Sequence, residues 1–465
     1  MPKCTQTQSE KFNFGRIGRK QITANFDGGD LGSDGGLLLL KSLDEKLGLT
    51  RAAARAMVDP RNPDLIEHPM QSLIAQRVYA LCCGYEDLND HDRLRHDSIL
   101  QTALGRDELL GSSPTLCRME NRTSSRDAAG LARVLFEQFI QAHAHASAPD
   151  EIVLDIDASD IPLYGDQEYR EFHGYYDHYC YLPLYVFCGD HLLAAYLGNS
   201  RIDGAKNATA LIKTLFKGIR AHWPDTRIVV RGDSGFCRQR LLRWCEKSGV
   251  FYVIGLARNE RLQREVALVE CAMKEAYEQS GEKQREIGEF AYAAQSWDIP
   301  RRVVTRLEYG AQGVNPRFIV SNLPASDYSA EALYDGLYCQ RGEAENRIKE
   351  TQLDLFGARA SCQRFKANQF RTLLAALAYT LMQALKRHAL AGTEFSRATS
   401  ATIRSRLLKI GCAIMKNTRR IVLMLASAHP LRETFELAAR RAQRDECTAR
   451  HGRALTPQSA VPGTL

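Results

Sequence analysis

Two candidate reactive groups stand side by side in the segment VVRGDSGF, residues 229–236. The sequence GDSG is typical of serine proteases, with Ser234 as the nucleophile, whereas the apolar run before it predicts a buried strand that ends at Asp233. A serine protease needs a matched His and Asp, usually in an all-β, disulfide-bonded fold. The nucleophile-elbow pattern G-x-S-x-G also fails, because Phe236 stands where its last glycine belongs. We therefore interpret Asp233 as the reactive group and expect Ser234 to cap the next helix.

A second group of acids lies on the β-like segment EIVLDIDA, residues 151–158. Asp155 and Asp157 are two residues apart, so both point to the same face of the predicted strand, and Asp160 follows in the turn. If this strand and the strand that ends at Asp233 are neighbours, one carboxylate from each meets across the sheet. Asp157 is nearer the carboxyl end, where Asp233 is expected, and is therefore the stronger candidate.

A third acid is expected from a helix in the segment YCQRGEAENRIKE, residues 338–350. Tyr338, Arg341 and Glu345 are spaced three and then four apart, so they share one helical face. Lys349 extends that face by another turn. The face is either a solvated stripe of salt bridges or a catalytic surface, and the segment considered alone favours the solvated stripe.

The three acidic segments taken together favour a metal site. Asp157, Asp233 and Glu345 would form an oxygen cage suited to Mg²⁺ or Mn²⁺. Two such ions, about 4 Å apart, activate a water or hydroxyl and stabilise the leaving oxygen in phosphodiester chemistry. Arg341 would then hold a phosphate through two parallel hydrogen bonds, and Tyr338 would hydrogen-bond the same group.

The elements that must position these acids follow a regular pattern from about residue 150. Three β-like runs with short connections predict an antiparallel meander, and helices then alternate with two further strands. This order, βββαβαβ, is the ribonuclease H-like arrangement, in which the first and fourth strands are neighbours. The strands are predicted at 151–158, 181–187, 192–198, 227–233 and 250–257, and the helices between them at 204–223 and 236–249. The expected fold class is α/β, with a mixed five-stranded sheet and helices, interrupted by a β-rich insertion.

Five regions are expected along the 465 residues. Helical parts flank the core at both ends, and residues 401–443 are interpreted as helices. The regions are a helical N-terminal DNA-binding region (1–145), the first part of the core (146–265), a β-rich insertion (266–325), the second part of the core with the catalytic Glu helix (326–390), and a basic helical C-terminal region with a tail (391–465).

Basic residues are unevenly distributed along the chain. Residues 351–465 carry a net charge of +13, and the remaining residues sum to −6. This asymmetry indicates either a polyanion partner or a solvated helical surface, and the charge alone favours neither. The segment SSPTLCRMENR, residues 112–122, likewise predicts either a DNA-reading helix that uses Arg118 or a connector helix that buries Leu116 and Met119.

The composition narrows the class of protein. Hydrophobic residues make up 44% and charged residues 25% of the chain, as in ordinary soluble proteins. Neither a stretch long enough to span a membrane nor an N-terminal signal core is present. The 13 cysteines have no CxxC spacing, which indicates reduced thiols. We expect a cytoplasmic protein with no membrane partner.

These motifs resemble those of bacterial insertion-sequence transposases of the Asp-Asp-Glu (DDE) type. LDIDASD, VVRGDSGF and YCQRGEAENRIKE are similar, in this order, to the three acidic motifs of that family, and the last is similar to its Tyr-x2-Arg-x3-Glu signature. SDGGLLLL, CCGYEDLNDHDRLRHD and SSPTLCRMEN further resemble insertion-sequence family 1380. The resemblance covers roughly residues 25–390.

The resemblance implies a transposase that binds the terminal inverted repeats of its own element in double-stranded DNA as a homodimer. It implies cleavage with two Mg²⁺ or Mn²⁺ ions, transfer of the 3′-OH ends to target DNA, and a nucleoid-associated location in a bacterial cytoplasm. The metal ligands would be Asp157, Asp233 and Glu345. The family signature places a lysine seven residues after the Glu, where this chain has Gln352, so Lys349 substitutes for it or no lysine is needed.

Two further points stay open at the level of the sequence. Related transposases stack a flipped base on an aromatic residue of the β-rich insertion, which makes Trp297 a candidate beside its ordinary role as a core residue. The alternatives to a transposase are a ribonuclease H-like nuclease or resolvase without strand transfer, and an inactive, transposase-derived DNA-binding protein.

Overall fold

The computed structural model describes residues 10–144 and 147–444. Short 3₁₀ and π-helical turns connect the regular elements within this part of the chain. The strands are β1 (Phe12–Ile17), β2 (Lys20–Ala24), β3 (Leu31–Gly32), β4 (Glu151–Ala158), β5 (Ile161–Pro162), β6 (Glu171–His173), β7 (His178–Cys188), β8 (His191–Asn199), β9 (Arg227–Gly232), β10 (Phe251–Leu256), β11 (Gln284–Tyr292), β12 (Arg301–Gly310), β13 (Gly313–Val314), β14 (Arg317–Ser321), β15 (Cys412–Asn417) and β16 (Arg420–Leu425).

The same part of the chain forms α-helices and shorter helical turns. The helices are α1 (Leu37–Leu47), α2 (Leu49–Arg55), α3 (Met70–Cys83), α4 (His91–Leu94), α5 (Ser98–Ala103), α6 (Ser113–Arg122), α7 (Ser125–Ala142), α8 (Ala208–His222), α9 (Gln239–Lys247), α10 (Glu260–Ser280), α11 (Gly342–Lys349), α12 (Phe365–Ala384), α13 (Ser400–Ile403) and α14 (Arg432–Gln443). The 3₁₀ turns are Pro63–Leu65, Ser234–Phe236 and Cys339–Arg341, and the π-helical turns are Ala332–Tyr338, Glu350–Asp354, Leu385–Ala389 and Arg404–Leu408.

The five strands expected from the sequence are neighbours in one mixed sheet, in the order β8, β7, β4, β9, β10. β7 is antiparallel to both β8 and β4, while β9 is parallel to β4 and to β10. The predicted contact between the first and fourth strands is therefore confirmed. It places Ile156 of β4 opposite Gly232 of β9, so both strands end at the same edge of the sheet.

The expected count of five strands is wrong, because the strands of the predicted β-rich segment, residues 266–325, join the same sheet. After the long helix α10, strand β14 pairs antiparallel with β10, with Val253 opposite Ser321, and β12 and β11 continue outward. The sheet therefore has eleven strands in the described residues. Phe318, Ile319 and Val320 are at most 3% exposed. Such a continuous apolar run is typical of a strand that is covered on both faces inside a sheet.

Helix α12 is the centre of the helical layer. It is apolar on all sides and almost wholly buried, packed against β8, α3 and α7. A helix that is hydrophobic all round belongs in a protein interior or in a membrane. Among the described helices, none is long and apolar enough to cross a membrane.

The C-terminal region is not wholly helical, so the interpretation of residues 401–443 as helices is wrong for their middle part. β15 and β16 form a hairpin, and Cys412 of β15 pairs with Gly32 of β3. The alternation of buried Cys412 and Ile414 with more exposed residues is the period-two pattern of a half-buried strand. Because α14 packs against α1, this region shares one core with the N-terminal helices. Residues 1–9 and the expected tail beyond residue 444 lie outside the described residues.

Candidate active site

Asp157, Asp233 and Glu345 come together at the carboxyl ends of β4 and β9. Asp157 is the last residue but one of β4, and Asp233 directly follows β9. Glu345 lies on α11, which packs against β4. The parallel pairing of β4 with β9 brings the first two carboxylates to one edge, and α11 supplies the third from outside the sheet. The structure thus brings Asp233 and Glu345 within electrostatic reach of Asp157.

The surroundings of the Asp157 side chain shift its pKa strongly. It is 13% exposed. Burial raises the pKa of Asp157 to about 7, and the charges of Asp233 and Glu345 add to the shift against the opposing effect of Arg341. Ionised carboxylates that are crowded in a partly buried place favour either a proton or a cation among them.

In the structure, the positive charge at this place comes from Arg341. Its Nη1 donates to Asp157 Oδ2 at 3.3 Å, and its Nη2 donates to Glu345 Oε1 at 2.5 Å. Burial lowers the pKa of Arg341, but Asp157 and Glu345 outweigh that effect and raise it overall. No three His, Cys, Asp or Glu side chains among the described residues form a group that could hold a metal ion. The guanidinium instead bridges the oxygens of two of the three acids.

Asp233 and not Ser234 caps the turn that follows β9, so the expected cap at Ser234 is wrong. Asp233 Oδ1 accepts a hydrogen bond from Gly235 N at 2.9 Å, which begins the 3₁₀ turn Ser234–Phe236. An aspartate at the end of a strand bonds the backbone two residues on more readily than a serine in the turn does. Ser234 itself is exposed. The carboxylate is thereby fixed at the edge of the sheet.

Asp155 points to the same face as Asp157 but has a different environment. It is 2% exposed and forms a two-pronged ion pair with Arg231 on β9. Arg231 also donates from Nη1 to the carbonyl oxygen of Leu337 at 2.5 Å. This pair therefore ties β4 and β9 to the π-helical turn that ends at Tyr338, and it positions the helix that carries Glu345.

Tyr338 reaches the edge of the sheet through a gap at Gly255 of β10. A Cβ atom on Gly255 would stand 2.7 Å from the Tyr338 hydroxyl and 2.8 Å from the backbone nitrogen of Ser234. Burial raises the pKa of Tyr338, and the charge of Asp233 adds to this shift while Arg341 opposes it. The glycine is thus required for the close approach of the phenol and of the turn that holds Asp233.

We expect Gly255→Ala to destabilise the fold by about 1–3 kcal/mol, since the new methyl group displaces either Tyr338 or the Asp233 turn. Gly288→Ala in β11 of the same sheet is the matched control, because its Cβ would meet only Thr305 Cγ2 at 3.8 Å. Thermal melts of both variants check this. Equal behaviour of the two would contradict the assigned packing.

Lys349 is exposed to solvent, whereas Gln352 is buried. Lys349 ends α11 and is exposed. Gln352 is 8% exposed. It accepts from Ser159 Oγ at 3.2 Å, and its amide donates to the carbonyl oxygen of Asp160 at 3.3 Å. The glutamine thus holds the turn that directly follows Asp157, which is a positioning contact that its sequence position alone did not indicate.

The structure places Arg118 and Trp297 outside the group of carboxylates described above. On α6, Leu116 and Met119 are buried as the connector interpretation expects, while Arg118 is exposed as a DNA contact requires. Trp297 is half-buried, with the Tyr292 ring 5.6 Å away and the Arg301 guanidinium 5.1 Å from its own ring centre. These contacts favour a packing role for Trp297.

Sequence reasoning missed one polar pair beside the acids. His178 Nε2 donates to Asp160 Oδ2 at 2.8 Å, although the histidine and the aspartate are 18 residues apart. The sequence marked Asp160 only as a turn residue. The sequence did contain a signal for this pair. His178 begins β7, and because β7 is antiparallel to β4, its beginning lies near the end of β4 and the turn with Asp160.

Comparison with known proteins gives one family match. The model of the family described as Transposase DDE domain group 1 matches residues 14–447. No curated protein matches the chain. Among solved structures, the chain is similar to the piggyBac transposase in the cryo-EM structure of its synaptic complex with hairpin DNA, with 11% identity, a TM-score of 0.41, and coverage of 80% of this chain and 79% of that chain.

Proposed function

The chain belongs to the Transposase DDE domain group 1 family, and on this basis we propose that it is an active DNA transposase of an insertion sequence. It would bind the terminal inverted repeats of its own element as a homodimer, cleave DNA there and transfer the 3′-OH ends to target DNA. The observation that carries this proposal is the convergence of Asp157, Asp233 and Glu345 around Arg341. The strand order supports a ribonuclease H-like core, and the motifs support insertion-sequence family 1380 and a bacterial cytoplasm.

We infer that Asp157, Asp233 and Glu345 hold two Mg²⁺ or Mn²⁺ ions. The chemistry of the donors supports this, because hard divalent cations prefer carboxylate oxygens, and the raised pKa of Asp157 supports a need for positive charge here. The described side chains form no metal-holding group as they stand, so the three carboxylates would have to move closer together around the ions. Bound ions would supply activation of the attacking oxygen and stabilisation of the leaving oxygen. Arg341 now provides the positive charge between Asp157 and Glu345. When metal ions take that place, its guanidinium would be free to bind a phosphate of the DNA.

The remaining contacts of the proposed complex are with the DNA backbone. Tyr338, half-buried beside the Asp233 turn, would donate its hydroxyl to a phosphate next to the scissile bond. Lys349 and Arg118 are exposed and would contact phosphates farther away. The net charge of +13 in residues 351–465 supports a DNA-facing surface there. Part of this region, including Leu407 and Leu408, is wholly buried in the helical core, so it is not a detachable DNA-binding tail.

Arg341→Lys is expected to slow cleavage and joining by about 10- to 100-fold without abolishing either, because a lysine keeps the charge but loses the two-pronged grip on a phosphate. The matched control is Arg347→Lys on α11, the helix that directly follows Arg341. Arg347 pairs with Glu343 at 2.9 Å and has 19% side-chain exposure against 20% for Arg341. Single-turnover rates at saturating Mg²⁺ measure the difference, and equal losses in both variants would argue for a structural role of Arg341.

The proposed function is tested with DNA that carries the inverted repeats flanking the gene. Mg²⁺-dependent cleavage at the repeat ends, followed by joining of the 3′ ends to a second DNA, is the expected result. Cleavage without joining would favour a nuclease. Binding without cleavage would identify an inactive, transposase-derived DNA-binding protein.

A further inference from the structure

A short basic segment lies at residues 11–26, far in sequence from the proposed catalytic acids. It contains four basic residues and no acidic residue, and the four are Lys11, Arg16, Arg19 and Lys20. The first 350 residues taken together have a net charge of −6, so this segment is a local positive patch in a part of the chain that is otherwise acidic. Such a patch favours a polyanion as its partner.

The segment forms a two-stranded antiparallel ribbon from β1 and β2, which pair with each other in a sheet of their own. Gly18, with φ of +59°, begins the two-residue turn between Ile17 and Lys20 and leaves Arg19 at the tip. Gly15, with φ of +88°, lies in a β-bulge of β1. Because glycine adopts such φ values at little cost, the local sequence specifies the shape of the ribbon.

The ribbon is an exposed arm and not part of a core. Every residue of β1 and of β2 is exposed. An isolated two-stranded hairpin is only marginally stable in water and normally needs a surface to pack on. The ribbon therefore gains stability from a partner outside this chain, and its positive charge indicates which kind of partner that is.

The register of the ribbon divides its side chains into two faces, since successive residues of a strand point to opposite sides. One face is polar throughout, and its paired members are Asn13 with Thr23 and Arg16 with Gln21. The other face is largely apolar, and its paired members are Phe12 with Ala24 and Ile17 with Lys20.

The polar face carries the side chains that read DNA bases. Arginine binds guanine and glutamine binds adenine through paired hydrogen bonds in the major groove, and threonine contacts several base edges. Asn13 is already engaged, because its Oδ1 accepts a hydrogen bond from Gly15 N at 3.0 Å. Arg16 and Gln21, which lie opposite each other near the tip, are therefore the two residues best placed to reach bases.

We propose that β1 and β2 form a DNA-reading arm that lies in the major groove of the element end. Arg16 and Gln21 contact base edges, while Arg19 and Lys20 contact phosphates beside the groove. Two paired strands are about 4.8 Å apart, and the major groove, about 12 Å wide, admits such a ribbon. This inference rests on the proposed function, since its ligand is the inverted-repeat end, and it assigns recognition of that end to a ribbon instead of a helix.

The phosphate contacts are tested by the salt dependence of binding. The double variant Arg19→Gln/Lys20→Gln should lower the slope of log Kd against log salt concentration by about 1.8 on end DNA and on an unrelated duplex alike, because each lost phosphate contact removes about 0.9. Arg264→Gln/Lys274→Gln on α10 is the matched control. These two side chains are 78% and 57% exposed, so the same charge is lost from another surface, and the slope should stay at the wild-type value.

The base contacts are tested with Gln21→Ala, which changes no charge. It should bind end DNA about 5- to 150-fold more weakly than wild type and unrelated DNA within about twofold, which is the range for one paired contact to a base. Arg16→Lys keeps the charge but loses the two-pronged geometry, so it should behave in the same way. Gln263→Ala removes an exposed glutamine from α10 and should bind like wild type. Since all these residues are exposed, thermal melts should be unchanged.

End duplexes with each base pair replaced in turn locate the contact. The ratio of the Gln21→Ala Kd to the wild-type Kd is measured on each duplex. At one base pair the ratio should fall to about 1, since the variant loses nothing where the base that Gln21 reads is already absent.

The outcomes separate this inference from the proposed function. A wild-type protein that prefers end DNA, with the same Gln21→Ala ratio at every base pair, overturns the reading arm alone. An Ile17→Ser protein that loses self-association in sedimentation, with those ratios again equal, assigns the ribbon to a contact between two copies and also overturns it. Binding to end DNA that is no tighter than to unrelated DNA removes the proposed function and this inference together. A protein that shows the base-dependent ratio but never cleaves supports the arm and removes the proposed transposase activity.

Discussion

Asp157→Asn is expected to lower strand cleavage by about 1,000-fold or more while DNA binding stays near that of wild type. The carboxylate stands where β4 meets Asp233 and Glu345, and burial, together with the charges of these two acids, raises its pKa. If Asp157 is a metal ligand, as proposed, its loss removes several kcal/mol of transition-state stabilisation, which corresponds to a rate loss of that size. Single-turnover cleavage and a gel-shift assay on the same end DNA measure the two properties separately.

Asp155→Asn is the informative comparison, because both aspartates lie on the same face of β4. Asp155 neutralises Arg231, and both residues are at most 5% exposed. Removing one partner of such a buried pair typically costs about 3–5 kcal/mol of stability. We therefore expect Asp155→Asn to fail in folding and Asp157→Asn to fail only in chemistry. A folded but inactive Asp155→Asn protein beside an active Asp157→Asn protein would show that the catalytic position is one pleat away.

The pH dependence of stability provides the folding control for Asp157→Asn. Folding raises the pKa of Asp157 from 3.8 to about 7, so the folded protein binds this proton more tightly than the unfolded chain does. The stabilisation is fully present below the unfolded pKa and is lost as the pH rises through about 7. Asparagine does not ionise. In the metal-free protein, Asp157→Asn should therefore raise the melting temperature relative to wild type, and more at pH 8 than at pH 5.

The elements that hold the acids could be predicted from the sequence because their signals are local. Apolar runs and glycine stops delimit β4, β9 and α9, and the rule for parallel connections places β4 beside β9. The partner of β10 on its other side could not be predicted in this way. The pairing of β14 with β10 joins residues about 65 positions apart, and periodicity identifies a strand without identifying its neighbour.

The contacts between side chains that are far apart in the sequence could not be predicted for the candidate site either. The spacing of Tyr338, Arg341 and Glu345 showed that they share a face, but not that Arg341 reaches Asp157, which is 184 residues away. The sequence also did not show that Asp155 and Asp157 have different partners. Asp155 pairs with Arg231 only because of the register between β4 and β9. Local spacing therefore identified the candidate residue types, and the tertiary contacts separated the proposed catalytic Asp157 from Asp155, which ties the strands together.

Glu345→Gln should likewise stop cleavage, and its matched control lies two residues away. Glu345 is 43% exposed and contacts the Arg341 guanidinium that also binds Asp157. Glu343 on the same helix is 69% exposed and pairs with Arg347, so it points to a different face of α11. Because glutamine has nearly the same size but no charge, Glu345→Gln removes the proposed third ligand and leaves the helix intact. The expected loss is again about 1,000-fold or more, against less than about twofold for Glu343→Gln, whose exposed ion pair contributes under 1 kcal/mol.

The same pair of variants decides whether this helix face is catalytic or a solvated stripe of salt bridges. In a solvated stripe, Glu345→Gln and Glu343→Gln would both melt and cleave like wild type, because each would lose only one exposed ion pair. In a catalytic face, only Glu345→Gln loses cleavage, and its thermal melt stays close to that of Glu343→Gln. Raising the Mg²⁺ concentration adds a second criterion, since weakened binding at a retained site is restored by mass action and a missing ligand is not. A well-folded Glu345→Gln protein that still cleaves at the wild-type rate would remove the third acid from the proposed site and leave Asp157 and Asp233 without a partner from outside the sheet.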